Sequence, residues 1–298
     1  MLSFLRRTKS ISRIALDPPM PLPDRSGLAL VAIVKNEAAH IGEWARFHLR
    51  TGISHVYVYD NGSSDTTLVE LVAAIGVQHI TVIPWDQKLR DGGTGAEIHN
   101  QVLAYAHAVR NFGGGYRWMT FIDVDEFLVP KSADTLPDCL AHLSGETNIS
   151  LPWHMFGRNG FEDAPEGGII ANYIRRHPDP MSPLKGMCNF KMIVDPCHVT
   201  AIKVHSIETD GSTASVNDKG TRAAAGDRKK PGFYSADHIQ LNHYYTRSNA
   251  ELQAKINRGS NMTQDTSDHL RRVMRKVDQI EAESVEDLAA KRWFGRVR

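Results

Sequence analysis

Two aspartates, Asp123 and Asp125, stand one residue apart directly after an apolar, aromatic run from Trp118 to Ile122. Carboxylates at i and i+2 can aim at one point once the backbone turns. Hard oxygen donors of this kind suit Mg2+ or Mn2+, above all when a diphosphate supplies further oxygens. The other reading of the triplet is a solvated turn, since Asp-X-Asp also arises by chance. Upstream, Lys35-Asn36-Glu37, Asp60-Asn61 and Trp85-Asp86 follow apolar runs in the same way. A carboxylate such as Asp60 can accept from a ribose hydroxyl or a base N–H, and a helix N-terminus beyond it favours a nearby phosphate. Ser64 or Asp65 would equally serve there as a helix cap.

These groups share one edge only if the runs before them are strands of one sheet. Leu28 to Val34 (LALVAIV) is continuously apolar and of strand length, as expected of a strand buried on both faces. His55 to Tyr59, Ile80 to Pro84 and Trp118 to Ile122 read as three further strands. Helical spacing separates them: Ile41 to Leu49, Leu68 to Ile75 with Gly76 as the stop, and Ala96 to Val109. Strand and helix alternating at this cadence predict an α/β fold, a Rossmann-like, mostly parallel sheet with helices on both faces. Ligands of such sheets bind at the carboxyl ends of the strands, where all four polar clusters fall.

Past Pro130 the alternation weakens. Ile149 to Trp153, Ile169 to Ile174, Phe190 to Val194, Val199 to Val204 and Ile239 to Tyr245 are short strand candidates. Thr209 to Pro231 is polar, rich in Gly, Ala and Lys, and reads as a mobile loop. Ser248-Asn-Ala-Glu251 is a capping-box pattern opening a helix to about Arg258, and Ser267 to Trp293 reads as charged helix. The first 27 residues, with Pro19, Pro21 and Pro23, read as a disordered tail.

Composition removes several classes of function. Lys and Arg number 35 against 34 Asp and Glu, a formal charge of +1, which argues against a nucleic-acid binder. Three cysteines form no metal-like pairing and no even disulfide framework, so the expected setting is a reducing cytoplasm. No run approaches the roughly 20 apolar residues of a membrane span, and the basic opening lacks a signal peptide's apolar stretch. At most, that opening touches anionic lipid at the inner face of the membrane. The glycine patterns of nicotinamide-binding and P-loop proteins are missing.

The stretch VAIVKNEAAHIGEWARFHLRTGISHVYVYDNGSSDTT, followed by WMTFIDVDEFLVP, resembles the GT-A glycosyltransferases of family 92 and their bacterial family-2-like relatives. LPWHMFGRNG and LNHYYTRSNAELQAKINRG resemble that group's later blocks, so the resemblance runs from about Leu28 to Gly259. It implies a GT-A fold, a nucleotide-sugar donor, usually a UDP-sugar, a saccharide or glycan acceptor, a divalent metal (Mn2+ or Mg2+) and inversion at the anomeric carbon. By position, Asp123 and Asp125 would hold metal and donor, and Lys35, Asn36, Glu37 and Asp60 would line the donor. His243 would complete the metal's coordination, with His205 as second choice, although a histidine near aromatics is otherwise a core residue. Lys255 and Arg258, three apart on one helix face, would neutralise the leaving diphosphate. Arg158 and Lys191 are weaker candidates whose default reading is solvated surface charge. Phe161-Glu162-Asp163 stands where the group implies a histidine; Glu162 and Asp163 are candidate bases, or simply an exposed loop. On this reading residues 28–130 form the nucleotide-sugar half, 131–260 the acceptor-side, metal-completing half, and 261–298 C-terminal helices. Two other functions use the same features: a nucleotidyltransferase with the same nucleotide and metal site, and a non-catalytic carbohydrate-binding protein.

Overall fold

The structure, a computed structural model, describes residues 10–258 and 266–297. The first half runs β1 (Ile14–Ala15), β2 (Leu28–Val34), α1 (Ile41–Arg50), β3 (Ile53–Asp60), α2 (Thr67–Ile75) and β4 (Ile80–Pro84). It continues with α3 (Asn100–Phe112), β5 (Trp118–Phe121) and β6 (Glu126–Pro130). Next come α4 (Leu136–Leu140), β7 (Asn148–Met155), α5 (Ile169–Asn172), β8 (Arg175–Arg176), β9 (Phe190–Val194), β10 (Val199–Lys203) and β11 (Ser206–Thr209). The chain closes through β12 (Ser215–Val216), β13 (Arg222–Ala223), β14 (Ile239–His243), α6 (Asn249–Arg258), α7 (Thr266–Glu281), β15 (Val285–Glu286) and α8 (Ala289–Arg296).

The main sheet has ten strands, in the order β13-β12-β7-β9-β5-β2-β3-β4, with β14 joining β7 to β6. β4, β3, β2 and β5 are parallel, whereas β9 runs antiparallel to both β5 and β7. This is the α/β architecture expected from the sequence, a parallel half continued by a mixed half. The unbroken apolar run of β2 follows from its place in the middle. Leu28, Leu30, Ala32 and Val34 face one core with Trp44, Phe47 and Leu71, and Ala29 and Val31 face the other with Val102, Tyr105 and Val109. Helices α1 and α2 therefore cover one face and α3 the other. No helix among the described residues is long and apolar enough to cross a membrane.

Several elements differ from expectation, each for a physical reason. Residues 10–27 are laid onto the body: β1 pairs with β10, and Arg25 grips Asp195 through two hydrogen bonds of 2.5 and 2.8 Å. The prolines forbid donors there but not packing by Ile14 and Leu16. Residues 1–9 of the expected tail lie outside the described residues. The 169–174 strand is instead the short helix α5, because the Glu43 carboxylate accepts the N–H groups of Ile169 and Ile170 at 2.6 and 3.0 Å and caps it. The 209–231 segment is not structureless. The Asn217 amide donates to Phe233 O (2.9 Å) and its oxygen accepts the Lys219 and Thr221 N–H groups, while buried Arg228 donates to Ser150 Oγ at 2.8 Å. Its polar side chains satisfy backbone and sheet groups, work that an apolar pattern would not reveal. The C-terminal helix is broken by β15, which pairs with β8.

One core residue makes the fold sensitive to acid. His48 is fully buried; its Nδ1–H donates to Trp44 O at 2.8 Å and its Nε2 accepts the Leu128 N–H at 3.2 Å. A second proton would face that N–H, and burial pushes the imidazole down to about 3. The folded value lies below the ordinary one, so this stability is complete above about pH 6.5 and is lost as pH falls toward 3. By pH 5 about 2 kcal/mol should be gone from this group alone. Urea unfolding at pH 7.5 and 5.0 should show the loss, and His48→Gln, which keeps an acceptor for Leu128, should shrink it by that amount. A variant with the parent's pH dependence would mean that His48 already carries its second proton in the fold.

Candidate active site

The parallel strands deliver their polar ends to one edge. After β2, Asn36 takes a left-handed φ of 54°, which asparagine tolerates. Its Oδ1 accepts the Ser64 N–H at 2.8 Å, and its own N–H donates to Ser63 Oγ at 3.1 Å. After β3, Asp60 Oδ1 accepts the Ser63 N–H at 3.0 Å. The Asn100 amide donates to Asn61 Oδ1 at 3.1 Å and to Trp85 O at 3.3 Å, which ties the ends of β3 and β4 together. Asp65, just ahead of α2, accepts the N–H groups of Thr67 (3.0 Å) and Ala38 (3.2 Å).

Between β5 and β6 the chain turns so that Glu126 N–H donates to Asp123 O and Asp123 N–H to Glu126 Oε2, both at 3.0 Å. Asp123 Oδ1 accepts from Gln101 Nε2 at 2.8 Å, and Oδ2 from Lys191 Nζ at 2.9 Å. That ammonium also lies 3.3 Å from Glu126 Oε2, and Trp153 Nε1–H donates to Glu126 Oε1 at 2.7 Å. Glu126 and Lys191 are sealed in at 0% and 1% exposure, whereas Asp123 is 37% exposed and faces the edge. Burial pushes the Glu126 carboxyl up to about 8 against the pull of Lys191. Burial also works against the Lys191 ammonium, yet Asp123 and Glu126 hold it well above the ordinary lysine value.

Asp125 meets a second group of cations. Its Oδ2 accepts from Lys255 Nζ at 2.8 Å and lies 3.6 Å from His243 Nε2, with the carboxylate 13% exposed. Burial would raise this carboxyl, but Lys255, His243 and Arg247 hold it well below the usual range. Burial pushes the His243 imidazole down against the pull of Asp125, and its ring lies 4.4 Å from that of Trp153. Tyr245 carries two ammonium groups on its ring, Lys255 at 4.3 Å and Lys276 at 4.2 Å. Burial, and then Lys255, press Lys276 down to about 8.

Comparison with known proteins settles the family. The model of glycosyltransferase family 92 matches residues 31–285. The chain belongs to glycosyltransferase family 92. A family 92 protein of Oryza sativa subsp. japonica is 25% identical over 188 residues, covering 59% of this chain and 30% of that protein. One of Ricinus communis is 25% identical over 156 residues, 50% of this chain and 26% of that protein. The chain thus spans less than a third of the length of these two curated relatives. Among solved structures, a mycobacterial protein aligns with a TM-score of 0.35 and 15% identity, over 76% of this chain and 69% of that one. Glucosyl-3-phosphoglycerate synthase from Mycobacterium tuberculosis, in complex with Mn2+, UDP and glucosyl-3-phosphoglycerate, aligns with a TM-score of 0.32 and 17% identity over 57% of each chain.

The candidate site gathers Asp123, Asp125, His243 and Lys255 at the edge where β2 and β3 deliver Lys35, Asn36, Glu37 and Asp60. Arg258 lies in α6, but its side chain is outside the described residues. His205 donates from Nδ1 to Phe190 O at 3.2 Å with its ring edge on Trp153, beside the site rather than on Asp125. Glu162 directs both carboxylate oxygens to Asn249 Nδ2 at 2.7 Å, and Asp163 is exposed on the same turn. Neither contacts Asp123 or Asp125 among the described residues. Lys191 and Arg158 are not solvated surface charges. Lys191 is buried, and Arg158 links β7's end to α7 by pairing with Glu281. Sequence reasoning missed Gln101, Trp153, Arg247 and Lys276 as partners of the site. A lone lysine inside the apolar run FKMIV was a usable signal for Lys191, while nothing local marks Lys276.

The residues fit a divalent cation within limits. Among the described residues no three His, Cys, Asp or Glu side chains cluster as a complete ligand set. Mg2+ and ions like it are commonly held by one or two carboxylates, with substrate phosphates and water filling the rest. Asp125 Oδ2 and His243 Nε2, 3.6 Å apart and too far to hydrogen-bond well, are spaced as two ligands of one ion can be. Asp123, 37% exposed, would offer such an ion a further oxygen.

Proposed function

We propose that this chain transfers a sugar from a nucleoside-diphosphate sugar, a UDP-sugar, to a hydroxyl of a saccharide acceptor, with inversion at the anomeric carbon. The observation that carries the reading is the convergence of the Asp123/Asp125 pair with Lys255, Lys276 and His243 at the carboxyl edge of the sheet in a family 92 chain. In an inverting step the acceptor oxygen bonds to the anomeric carbon as the bond to the diphosphate breaks and the hydroxyl proton passes to a base. A bound Mn2+ or Mg2+, held by Asp123, Asp125 and His243, would act as a Lewis acid toward the leaving diphosphate. Lys255 and Lys276 supply fixed positive charge, and Tyr245 holds both ammonium groups in place without neutralising them. Asp60 and Asn36 shape the nucleotide side, and their hydrogen bonds to the Ser63–Ser64 turn fix that shape before the donor arrives.

Thermal unfolding with a panel of nucleotide sugars, with and without Mn2+, tests the donor half without knowledge of the acceptor. At a hundred times Kd the bound donor contributes about 2.7 kcal/mol, a rise of roughly 5 °C for a chain this size. The expected result is a metal-dependent rise with one UDP-sugar and release of UDP when a saccharide acceptor is added. Release of pyrophosphate would make the chain a nucleotidyltransferase. Binding of saccharide with no response to any nucleotide sugar would make it a carbohydrate-binding protein.

A further inference from the structure

Arg247 sits in surroundings unusual for a guanidinium. Its side chain is 6% exposed, and its backbone is left-handed, with φ of 51°. A residue other than glycine is strained there by roughly 1 kcal/mol or more. Two carboxylates flank it, Glu251 Oε1 at 3.5 Å from Nε and Glu37 Oε2 at 4.0 Å from Nη2. Its Nη1 is buried with no hydrogen-bond partner. A buried donor without an acceptor costs about 1 to 3 kcal/mol, so strain and an unmet N–H at one residue point to a ligand.

The place of Arg247 says which part of the substrate that ligand is. Its charge helps hold the Asp125 carboxyl down, and Glu37 is the last member of the cluster that closes β2. Arg247 therefore lies between the nucleotide edge and the carboxylate proposed to face the diphosphate, where the transferred sugar must pass. Its charge is already matched by Glu37 and Glu251, the latter also paired with His40. A further anion would set three negative groups around one guanidinium. Neutral hydroxyls fit better: a guanidinium N–H donates to one hydroxyl oxygen while a carboxylate accepts the proton of its neighbour.

We infer that Arg247 and Glu37 together read neighbouring hydroxyls of the sugar carried by the donor, and so set sugar specificity. This rests on the glycosyl-transfer reading above. The test measures Kd for UDP and for the two best-bound members of a UDP-sugar panel, with Mn2+, in the parent, Arg247→Met, Arg247→Lys and Glu37→Gln. In Arg247→Met the UDP Kd should change less than about threefold, while the preferred UDP-sugar weakens at least about tenfold, the worth of a hydrogen bond from a charged group. The preference between the two sugars should narrow in all three variants. If Arg247→Met does not fold, because Glu37 and Glu251 lose their cation, Arg247→Lys and Glu37→Gln carry the same comparison. Equal weakening of UDP and UDP-sugar would assign Arg247 to the phosphates, and unchanged sugar preference would leave it structural; either overturns the inference. A parent that binds UDP but no UDP-sugar, or neither, refutes the glycosyl-transfer reading itself.

Discussion

Asp125→Asn should lower transfer by about a hundred- to a thousandfold, because it removes a charge that would hold the cation preorganised at the leaving diphosphate. Asparagine keeps the shape and loses the charge, so the result isolates electrostatics from packing. The sequence alone assigns the cost to activity, because Asp125 follows a strand at a ligand-binding edge. Burial adds a second cost. The carboxylate is 13% exposed and paired with Lys255, but the lysine left behind is 32% exposed, so losing the pair should destabilise by only about 1 kcal/mol. The two costs separate in a binding experiment. Without metal, UDP should bind Asp125→Asn at least as well as the parent, because a negative charge next to Lys255 and Lys276 has gone. With Mn2+, the parent should gain affinity and the variant should not. A variant that still gains affinity for UDP with Mn2+ would take the ion away from Asp125.

The parallel half of the fold and its polar edge were legible because their causes are local. LALVAIV must be buried on both sides, Gly76 must end a helix, and a polar cluster after each strand must fall on one edge. The partners of that edge were not legible, because they arrive from far along the chain. Lys191 reaches Asp123 from 68 residues away, and Lys255 reaches Asp125 from 130. No spacing rule links such pairs; the antiparallel insertion of β9 between β5 and β7 creates the first, and the helix after β14 the second. Misreadings elsewhere share a cause. Glu43 capping α5, Asn217 folding its own turn and Arg25 gripping Asp195 are polar side chains that organise backbone. Hydrophobic periodicity cannot detect them.

Lys191→Met should be the most damaging single change to the fold among the site residues. Methionine matches the length of the lysine stem and lies in a run, FKMIV, that is otherwise apolar, so the variant loses charge rather than volume. Glu126, fully buried, would keep the N–H groups of Trp153 and Asp123 but lose its cation. Above pH 8, where this carboxyl is ionised, leaving it buried without its cation costs about 3 to 5 kcal/mol, and at neutral pH, where Glu126 largely carries its proton, the cost is smaller. Asp123 Oδ2 would lose its 2.9 Å donor at the same time, leaving Gln101 alone to orient it. Loss of such a supporting partner typically lowers activity about ten- to a hundredfold. A double-mutant cycle with Glu126→Gln separates charge from packing. If Lys191 acts by neutralising Glu126, the double variant should be more stable than the sum of the two single losses predicts, by about 2 kcal/mol. Strictly additive losses would mean that Lys191 stabilises the sheet through its packing, with Asp123 held in place by other groups.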